Sequence, residues 1–327
     1  MCGISGIIRK DGLGVDINLL KKMNDIIAHR GPDDDGFYYH KHVGFGHRRL
    51  SILDVSTLGH QPMIYNDRYV ITYNGEVYNY LEVREELVQN GYIFTSGTDT
   101  EVILAAYDLW KEKCLIKFNG MWAFAILDKI ENKIFFARDR FGIKPLYYKE
   151  TNDTFSFGSE IKQLLNDCEN ELNVDVLLES ILTHIDNHTE QTYFKNILSF
   201  PASHYMYYDL TNFTKKFERY YKLEIKDEFK SKSNEDLINE FRTLFTDSVN
   251  LRMRSDVKVG TCLSGGLDSS AISIIASEAY HKSSNQKLFA INAKSMDANN
   301  DESAYAEEVG IIANLNLNIV TPSYQNF

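Results

Sequence analysis

The sequence predicts two domains of different class, a layered α+β sandwich followed by an α/β domain built on a parallel sheet. Three observations carry this. Short aromatic and β-branched runs alternate with a few helical stripes through the first 165 or so residues. Beyond residue 233 the rhythm changes to helix, strand, glycine loop, helix, strand, helix, strand, the pattern of parallel strands joined by crossover helices. Between them, residues 226–233 are charged and Ser-rich and have little to bury, which marks a linker. The expected division is a first domain over 1–210, with its core to about 165 and a bridging region behind it. A connecting strand and linker over 211–233 and a second domain over 234–327 follow.

The elements follow in order. The run Cys2-Gly3-Ile4-Ser5-Gly6 reads as the start of a strand. Leu19, Leu20, Met23, Ile26 and Ile27 recur at helical spacing and stop at Arg30-Gly31-Pro32, where Gly and Pro end a helix. Strands are expected over 36–40, 47–53, 69–73, 121–127, 133–138, 146–149 and 154–158. Two helices interrupt them, over 80–90 with Gly91 as terminator and over 100–111 behind a capping Asp99. The bridging region holds a helix near 174–184 and strands within 199–208 and 219–224. In the second domain Leu237, Phe241, Leu244, Phe245 and Val249 form one helical stripe, and strands are expected over 256–263, 288–291 and 317–320.

Composition narrows the function classes. A net charge of −11 argues against nucleic acid or an anionic membrane surface as a partner, and 43% apolar residues suffice for a core in each domain. The four cysteines, Cys2, Cys114, Cys168 and Cys262, are far apart and form no CxxC pair, so neither a zinc site nor a disulfide framework is indicated. With no signal peptide and no long apolar run, a cytoplasmic location is expected, and the Asn-x-Thr triplets at Asn152, Asn187 and Asn212 are read as chance.

Two places carry chemistry. Removal of Met1 would leave Cys2 with both a thiol and a free α-amine. A thiol of pKa ~8.5 is only a few per cent thiolate at neutral pH, and an amine of pKa roughly 7.7–8.0 can take its proton during attack. The second place is Ser264-Gly265-Gly266-Leu267-Asp268-Ser269-Ser270, set between a strand and a helix. Its glycines turn successive backbone N–H groups inward, its serines add donors and the helix begins there with its positive end, which makes a phosphate cradle. Asp268 is suited to hold Mg²⁺ against phosphates. No Lys follows the loop, so it is not a Walker loop.

That heptapeptide resembles the SGGxDS pyrophosphate loop of enzymes that cleave ATP between the α and β phosphates. The resemblance implies that Ser264, Gly266 and Ser269, with Gly265 in the turn, contact pyrophosphate, that Asp268 binds magnesium, and that the Leu263 backbone and Ile291 face the nucleotide. The start Met1-Cys2-Gly3-Ile4 is similar to that of class II glutamine amidotransferases, whose fold is the αββα N-terminal-nucleophile sandwich and whose nucleophile is the terminal cysteine. By that likeness Asn74 and Gly75 of Tyr73-Asn74-Gly75-Glu76 form an oxyanion hole, and Arg49, Leu50, Ser51, Ile52 and Leu53 grip the glutamine carboxylate. Asp99 and Glu76 would hold its ammonium. A bidentate Arg and paired carboxylates are the tools for reading a free amino acid. Arg48 should face the opposite side of a regular strand, as a surface charge.

Longer stretches extend the likeness to glutamine-hydrolysing asparagine synthetase. These are His29-Arg30-Gly31-Pro32-Asp33, Gly120-Met121-Trp122-Ala123-Phe124-Ala125, the run from Ala137 through Arg138-Asp139-Arg140-Phe141-Gly142-Ile143-Lys144-Pro145 to Tyr148, and Gly158-Ser159-Glu160-Ile161-Lys162. The implied activity is that of a C–N ligase with glutamine as amido donor. Glutamine is hydrolysed at Cys2, and the ammonia amidates aspartyl-AMP made from ATP and aspartate, giving asparagine, AMP and pyrophosphate. The implied partners are glutamine, aspartate and ATP with Mg²⁺, no organic prosthetic group, and a second copy of the chain as candidate protein partner. The second domain reads as truncated, lacking the later strands that would complete the ATP pocket and bind aspartate. Alternatives are an amidotransferase for another carboxylate, a stand-alone glutaminase, and a noncatalytic module. Pro201-Ala202-Ser203-His204-Tyr205 departs from the family's usual Pro-Gly-His.

Overall fold

The computed structural model describes residues 1–165, 170–186, 188–225 and 227–323. Cys168, Asn187 and Lys226 at the head of the expected linker lie outside the described residues. The chain divides into two compact units, Met1–Glu224 and Ile225–Phe327. Among the described residues no helix is long and apolar enough to cross a membrane.

In the first unit the strands are β1 (Gly3–Arg9), β2 (Asp34–His40), β3 (Val43–Arg49), β4 (Met63–Tyr65), β5 (Tyr69–Val77) and β6 (Gly120–Asp128). They continue with β7 (Lys133–Arg138), β8 (Tyr147–Glu150), β9 (Thr154–Gly158), β10 (Ile197–Ser199), β11 (His204–Asp209) and β12 (Lys215–Arg219). One sheet runs β10-β8-β9-β1-β3-β2 and the other β12-β11-β7-β6-β5-β4. Face to face, the two sheets bury Ile4, Phe45, Phe136, Phe157 and Met206 between them. On the outside, α1 (Ile17–Asp25) covers the first sheet through Leu20 and Met23 against Ile7. Helices α2 (Tyr80–Gln89) and α3 (Asp99–Trp110) cover the second through Val83, Leu87 and the wholly apolar run Val102–Ala106. This is the αββα sandwich.

Both faces of the central strands are therefore buried, and their sequences show it. Along β6, Trp122, Phe124 and Ile126 face the helices while Ala123, Ala125 and Leu127 face the other sheet. Ring contacts dominate the inter-sheet layer: Phe136 lies edge-on to Phe157 at 5.0 Å between centroids and 5.7 Å from Phe155.

Several expected boundaries move, each for a local reason. The strand expected over 47–53 ends at Arg49, because the Arg49 guanidinium donates to the carbonyls of Leu53, Asp54 and Ser56 and folds the following residues into a loop. The strand expected to stop at Tyr73 runs on to Val77, so Asn74-Gly75 is strand and not turn. Thr98, not Asp99, caps α3, its hydroxyl accepting from the Glu101 N–H at 3.2 Å. The single strand expected within 199–208 is two strands in different sheets, split at Pro201, which lacks an N–H, and Ser203 with φ +63°. The strand expected over 219–224 lies earlier, as β12. Helix α4 (Cys114–Lys117) is a single turn, and α5 (Val174–Thr183) leaves Leu178, Ile181 and Leu182 exposed.

The second unit orders α6 (Asn234–Arg252), β13 (Gly260–Cys262), α7 (Leu267–Ser284), β14 (Phe289–Ala293), α8 (Ser303–Ile312) and β15 (Asn316–Val320). Its sheet is β13-β14-β15, parallel throughout. Strand β13 is shorter than the 256–263 expected, since its partner β14 begins only at Phe289. Leu263, Ala276, Leu288, Ala290 and Ala306 form the core, and only the C-terminal end of the α6 stripe, Phe245 and Val249, reaches it. Phe241 and Leu244 are exposed.

Truncating Phe136 to Ala should leave a void between the sheets and destabilise the first unit by about 3–5 kcal/mol. Chemical denaturation followed by tryptophan fluorescence checks this, since Trp122 is fully buried in that unit.

Candidate active site

A cavity of about 260 Å³ opens at one end of the sandwich, lined by Cys2, Arg49, Asn74, Gly75, Glu76 and Asp99, with Leu50, Ile52 and Leu53 on its loop side. Of the residues expected to bind glutamine, Ser51 alone does not line it; its N–H donates to Asp33 Oδ2 at 2.8 Å and so fixes the loop from behind.

Cys2 immediately precedes β1, whose Gly3 pairs with Arg48 of β3, and this pairing puts the thiol beside the loop leaving β3. The Leu50 N–H donates to Cys2 Sγ at 3.4 Å, and the Arg30 Nε donates to the Cys2 carbonyl at 2.9 Å. Burial pushes the thiol up; the Leu50 N–H and the nearby N-terminal charge pull the other way.

Strand β5 supplies the opposite wall. Its short neighbour β4 pairs only with Tyr69–Ile71, so from Thr72 onward that edge of β5 carries no strand. The Tyr73 and Val77 N–H groups leave this edge toward Gln61 Oε1 at 2.8 Å and Asp99 Oδ2 at 2.9 Å. With a strand's two-residue period, the Gly75 N–H between them points the same way. On the far side, the amide groups of the facing residue, Trp122, are already bound to Asp139. A Cβ on Gly75 would stand 2.3 Å from the Met121 carbonyl, so only glycine fits. Asn74 is fully buried, and among the described residues neither Nδ2 nor Oδ1 has a hydrogen-bond partner. An unpaired buried amide is costly, and here it lines the cavity that holds Cys2.

The charged wall is equally ordered. Asp99, in the first turn of α3, accepts from the Tyr73 hydroxyl at 2.8 Å and from the Val77 N–H. Burial raises its pKa to about 6 against the pull of those two donors. Three of the N–H donors of Arg49 go to loop carbonyls, which leaves two for a ligand. Arg48 is half-buried against α1, donating to the Asn24 carbonyl and paired with Asp25, and is not the free surface charge expected. His47, fully buried, meets the Tyr73 carbonyl at 3.0 Å and is held neutral, with burial lowering its pKa to about 4.

Sequence reasoning missed Gln61, Tyr73, Met121 and Lys144, all of which line the cavity. Tyr73, Met121 and Lys144 sit inside stretches quoted above without a role; nothing local signals Gln61.

In the second unit the loop after β13 holds together through its serines. The hydroxyls of Ser264 and Ser269 lie 2.9 Å apart, the Gly266 N–H donates to Ser264 Oγ, and Ser269 and Ser270 donate to the Gly266 carbonyl. Gly265 has φ +100°, and a Cβ there would meet the Glu302 carbonyl at 2.7 Å. Leu263 is buried, its N–H on the Ile291 carbonyl. Asp268 sits exposed in the first turn of α7, and Ile291 is partly exposed on β14. The open backbone at a helix start and the serine donor set fit a phosphate group. Among the described residues no cluster of three His, Cys, Asp or Glu could by itself hold a metal ion.

Residues 1–221 match the glutamine amidotransferase domain family, and residues 240–314 match asparagine synthase. The chain is 42% identical over 294 residues to asparagine synthetase [glutamine-hydrolyzing] 1 of Bacillus subtilis, covering 86% of this chain and 45% of that protein. It is 42% identical over 298 residues to putative asparagine synthetase [glutamine-hydrolyzing] 2 of Methanocaldococcus jannaschii, covering 83% and 56%. The chain thus spans about half the length of the curated relatives it matches. In fold it is similar to the glutamine phosphoribosylpyrophosphate amidotransferase of B. subtilis, with a TM-score of 0.51, 20% identity, and 87% of this chain and 64% of that one covered. The chain belongs to the glutamine amidotransferase domain family, with the asparagine synthase segment behind it that marks the glutamine-hydrolysing asparagine synthetases.

Proposed function

We propose that the first unit hydrolyses glutamine at Cys2 and that the chain serves glutamine-dependent asparagine synthesis. The observation that carries the first step is the unpaired, buried Asn74 amide beside an outward-pointing Gly75 N–H, in one cavity with a thiol. With Met1 removed, the Cys2 α-amine takes the thiol proton as sulfur attacks the side-chain amide carbon of glutamine. The oxyanion that develops is held by Asn74 Nδ2 and the Gly75 N–H. The amine returns its proton to the amide nitrogen, the C–N bond breaks and ammonia leaves. Water then attacks the thioester, releasing glutamate and the thiol.

Arg49, through its two uncommitted donors and with the amides of the 50–53 loop, binds the α-carboxylate of glutamine; Asp99 and Glu76 bind its ammonium. In the second unit Ser264, Gly265, Gly266 and Ser269 hold the pyrophosphate of ATP, Asp268 its Mg²⁺, and Leu263 and Ile291 the nucleotide. ATP activates the aspartate carboxylate toward ammonia, with loss of pyrophosphate. The likeness of 240–314 to asparagine synthase supports this half. The reading includes a cytoplasmic chain, since a thiol nucleophile needs reducing surroundings, and no organic prosthetic group. An exposed apolar stripe on α5 is consistent with a homodimer.

Cys2→Ala should abolish glutamate release from glutamine in a coupled assay; persistence of turnover would remove Cys2 as nucleophile. Asn74→Ala should lower kcat about 10²–10³-fold with a smaller change in KM, as expected for a donor used in the transition state. Because Asp99 must be ionised to hold an ammonium and titrates at about 6, kcat/KM for glutamine should fall as pH drops through about 6. That acidic limb should vanish in Asp99→Asn, where activity is low at every pH. Aspartate-dependent formation of AMP in the presence of ATP and Mg²⁺ tests the second half, and its absence beside active glutaminase would favour the stand-alone reading.

A further inference from the structure

Lys144 is a buried ammonium, 4% exposed, on the wall of the Cys2 cavity. Its hydrogen-bond partner among the described residues is the thioether of Met1, Sδ at 3.2 Å, a weak acceptor, while Glu76 and Asp139 act on it by charge. By contrast Lys10 is paired with Glu150 and Lys129 with Asp67, and the buried Lys149 donates to the Leu164 carbonyl. A buried cation without a counter-charge is unfavourable unless something else in the site uses it.

The backbone around Lys144 is tightly held. The Asp139 carboxylate accepts N–H groups from Trp122, Phe141, Ile143 and Lys144, at 3.2, 3.1, 2.9 and 2.9 Å. Arg138 donates from Nε to the Lys144 carbonyl and from Nη2 to that of Gly142. Two charged side chains thus fix the course of residues 139–144, and the chain they fix delivers one ammonium into the cavity.

Of the other charges around Cys2, Arg30, Asp33, Arg49 and Asp99 have partners of their own. On the side of the turn after α1, Arg30 is paired with Glu160 at 3.0 Å, and Asp33 accepts from the Ser51 N–H. From β3, Arg49 is bound to loop carbonyls. From α3 and β5, Asp99 accepts from Tyr73 and Val77, and Glu76 lines the same wall. That leaves Lys144 as the cation toward Cys2 whose hydrogen-bond partner among the described residues is neither a carboxylate nor a carbonyl, with Glu76 acting on it by charge.

We infer that Lys144 is the electrostatic partner of the Cys2 sulfur, stabilising the negative charge that the sulfur carries into attack. This rests on the nucleophile role proposed for Cys2. Lys144 keeps its own proton throughout: the S–H bond breaks, the proton moves to the α-amine, and the ammonium acts by charge alone. Burial raises the thiol on balance, with the Leu50 N–H, the N-terminal charge and then the Lys144 charge pulling it down; burial likewise lowers Lys144, against the pull of Cys2.

The test is the pH profile of iodoacetamide alkylation at Cys2, read peptide by peptide by mass spectrometry on the full chain. The exposed thiol of Cys262 is the internal reference. Lys144→Met and Lys144→Gln should move the Cys2 midpoint up by about half a pH unit or more, which is about threefold slower alkylation on the acid side. Lys144→Arg should restore it, and Cys262 should not move. Profiles at Cys2 that superimpose across all four proteins, each folded by circular dichroism, would overturn the inference. The parent reading fails separately, by glutamine hydrolysis that survives in Cys2→Ala.

Discussion

The site depends on one strand that is buried on both faces yet freed along one edge. β5 alternates Tyr69, Ile71 and Tyr73 toward the helices with Val70, Thr72 and Asn74 toward the other sheet. Because both faces are packed, its register cannot slip by one residue without exchanging every side chain between layers. Because β4 reaches no further along β5 than Ile71, the N–H groups from Tyr73 onward have no strand among the described residues to pair with. They go instead to Gln61, to Asp99 and, at Gly75, into the cavity. Full burial fixes where the strand lies, and the missing neighbour makes its backbone available for chemistry.

Around that strand, charged side chains hold backbone in place. Arg49 folds the loop after β3 by binding its carbonyls, Asp139 gathers four N–H groups, and Arg138 gathers carbonyls from both ends of the same loop and from Phe200. Charge-assisted bonds of this kind are stronger than neutral ones, and removing one partner strands several buried groups at once. The loops beside the Cys2 thiol are thus held by several charged hydrogen bonds each. Glu160 extends the same scheme to the N-terminus: burial would raise its pKa, but Lys162, Arg30 and His29 hold it down to about 2. Arg30, thus anchored, grips the Cys2 carbonyl.

The second unit uses the other solution, a backbone turn held by small residues. Gly265 at positive φ brings the chain against the Glu302 carbonyl, and the serines close the loop on themselves. Asn292, on the buried face of β14, donates to the Leu263 carbonyl at 2.8 Å and tethers the strand end from which the loop departs.

Much of this was legible in the residues. The αββα class, the parallel second sheet, Cys2, the Asn74-Gly75-Glu76 run, Asp99 and the serine-glycine loop all rest on local pattern or on family motifs, because glycine needs and two-residue alternation are written in consecutive positions. Other features were not legible, and for one reason: they depend on partners far apart in the chain. The end of β3 at Arg49 depends on carbonyls that its own side chain reaches only after the loop has folded. The split at Pro201 depends on two sheets competing for adjacent residues. Gln61 enters the cavity from a segment whose sequence announces only a loop, and Lys144 from a family stretch in which nothing singled it out. By itself the sequence determined which groups could react and which backbone turns were open to them. Only the tertiary structure decided that Asn74 would be buried with no partner for its amide among the described residues, that the Gly75 N–H would leave the strand edge into the cavity, and that the Lys144 ammonium would line the same cavity as the thiol, because those are consequences of packing two sheets face to face with a shortened edge strand.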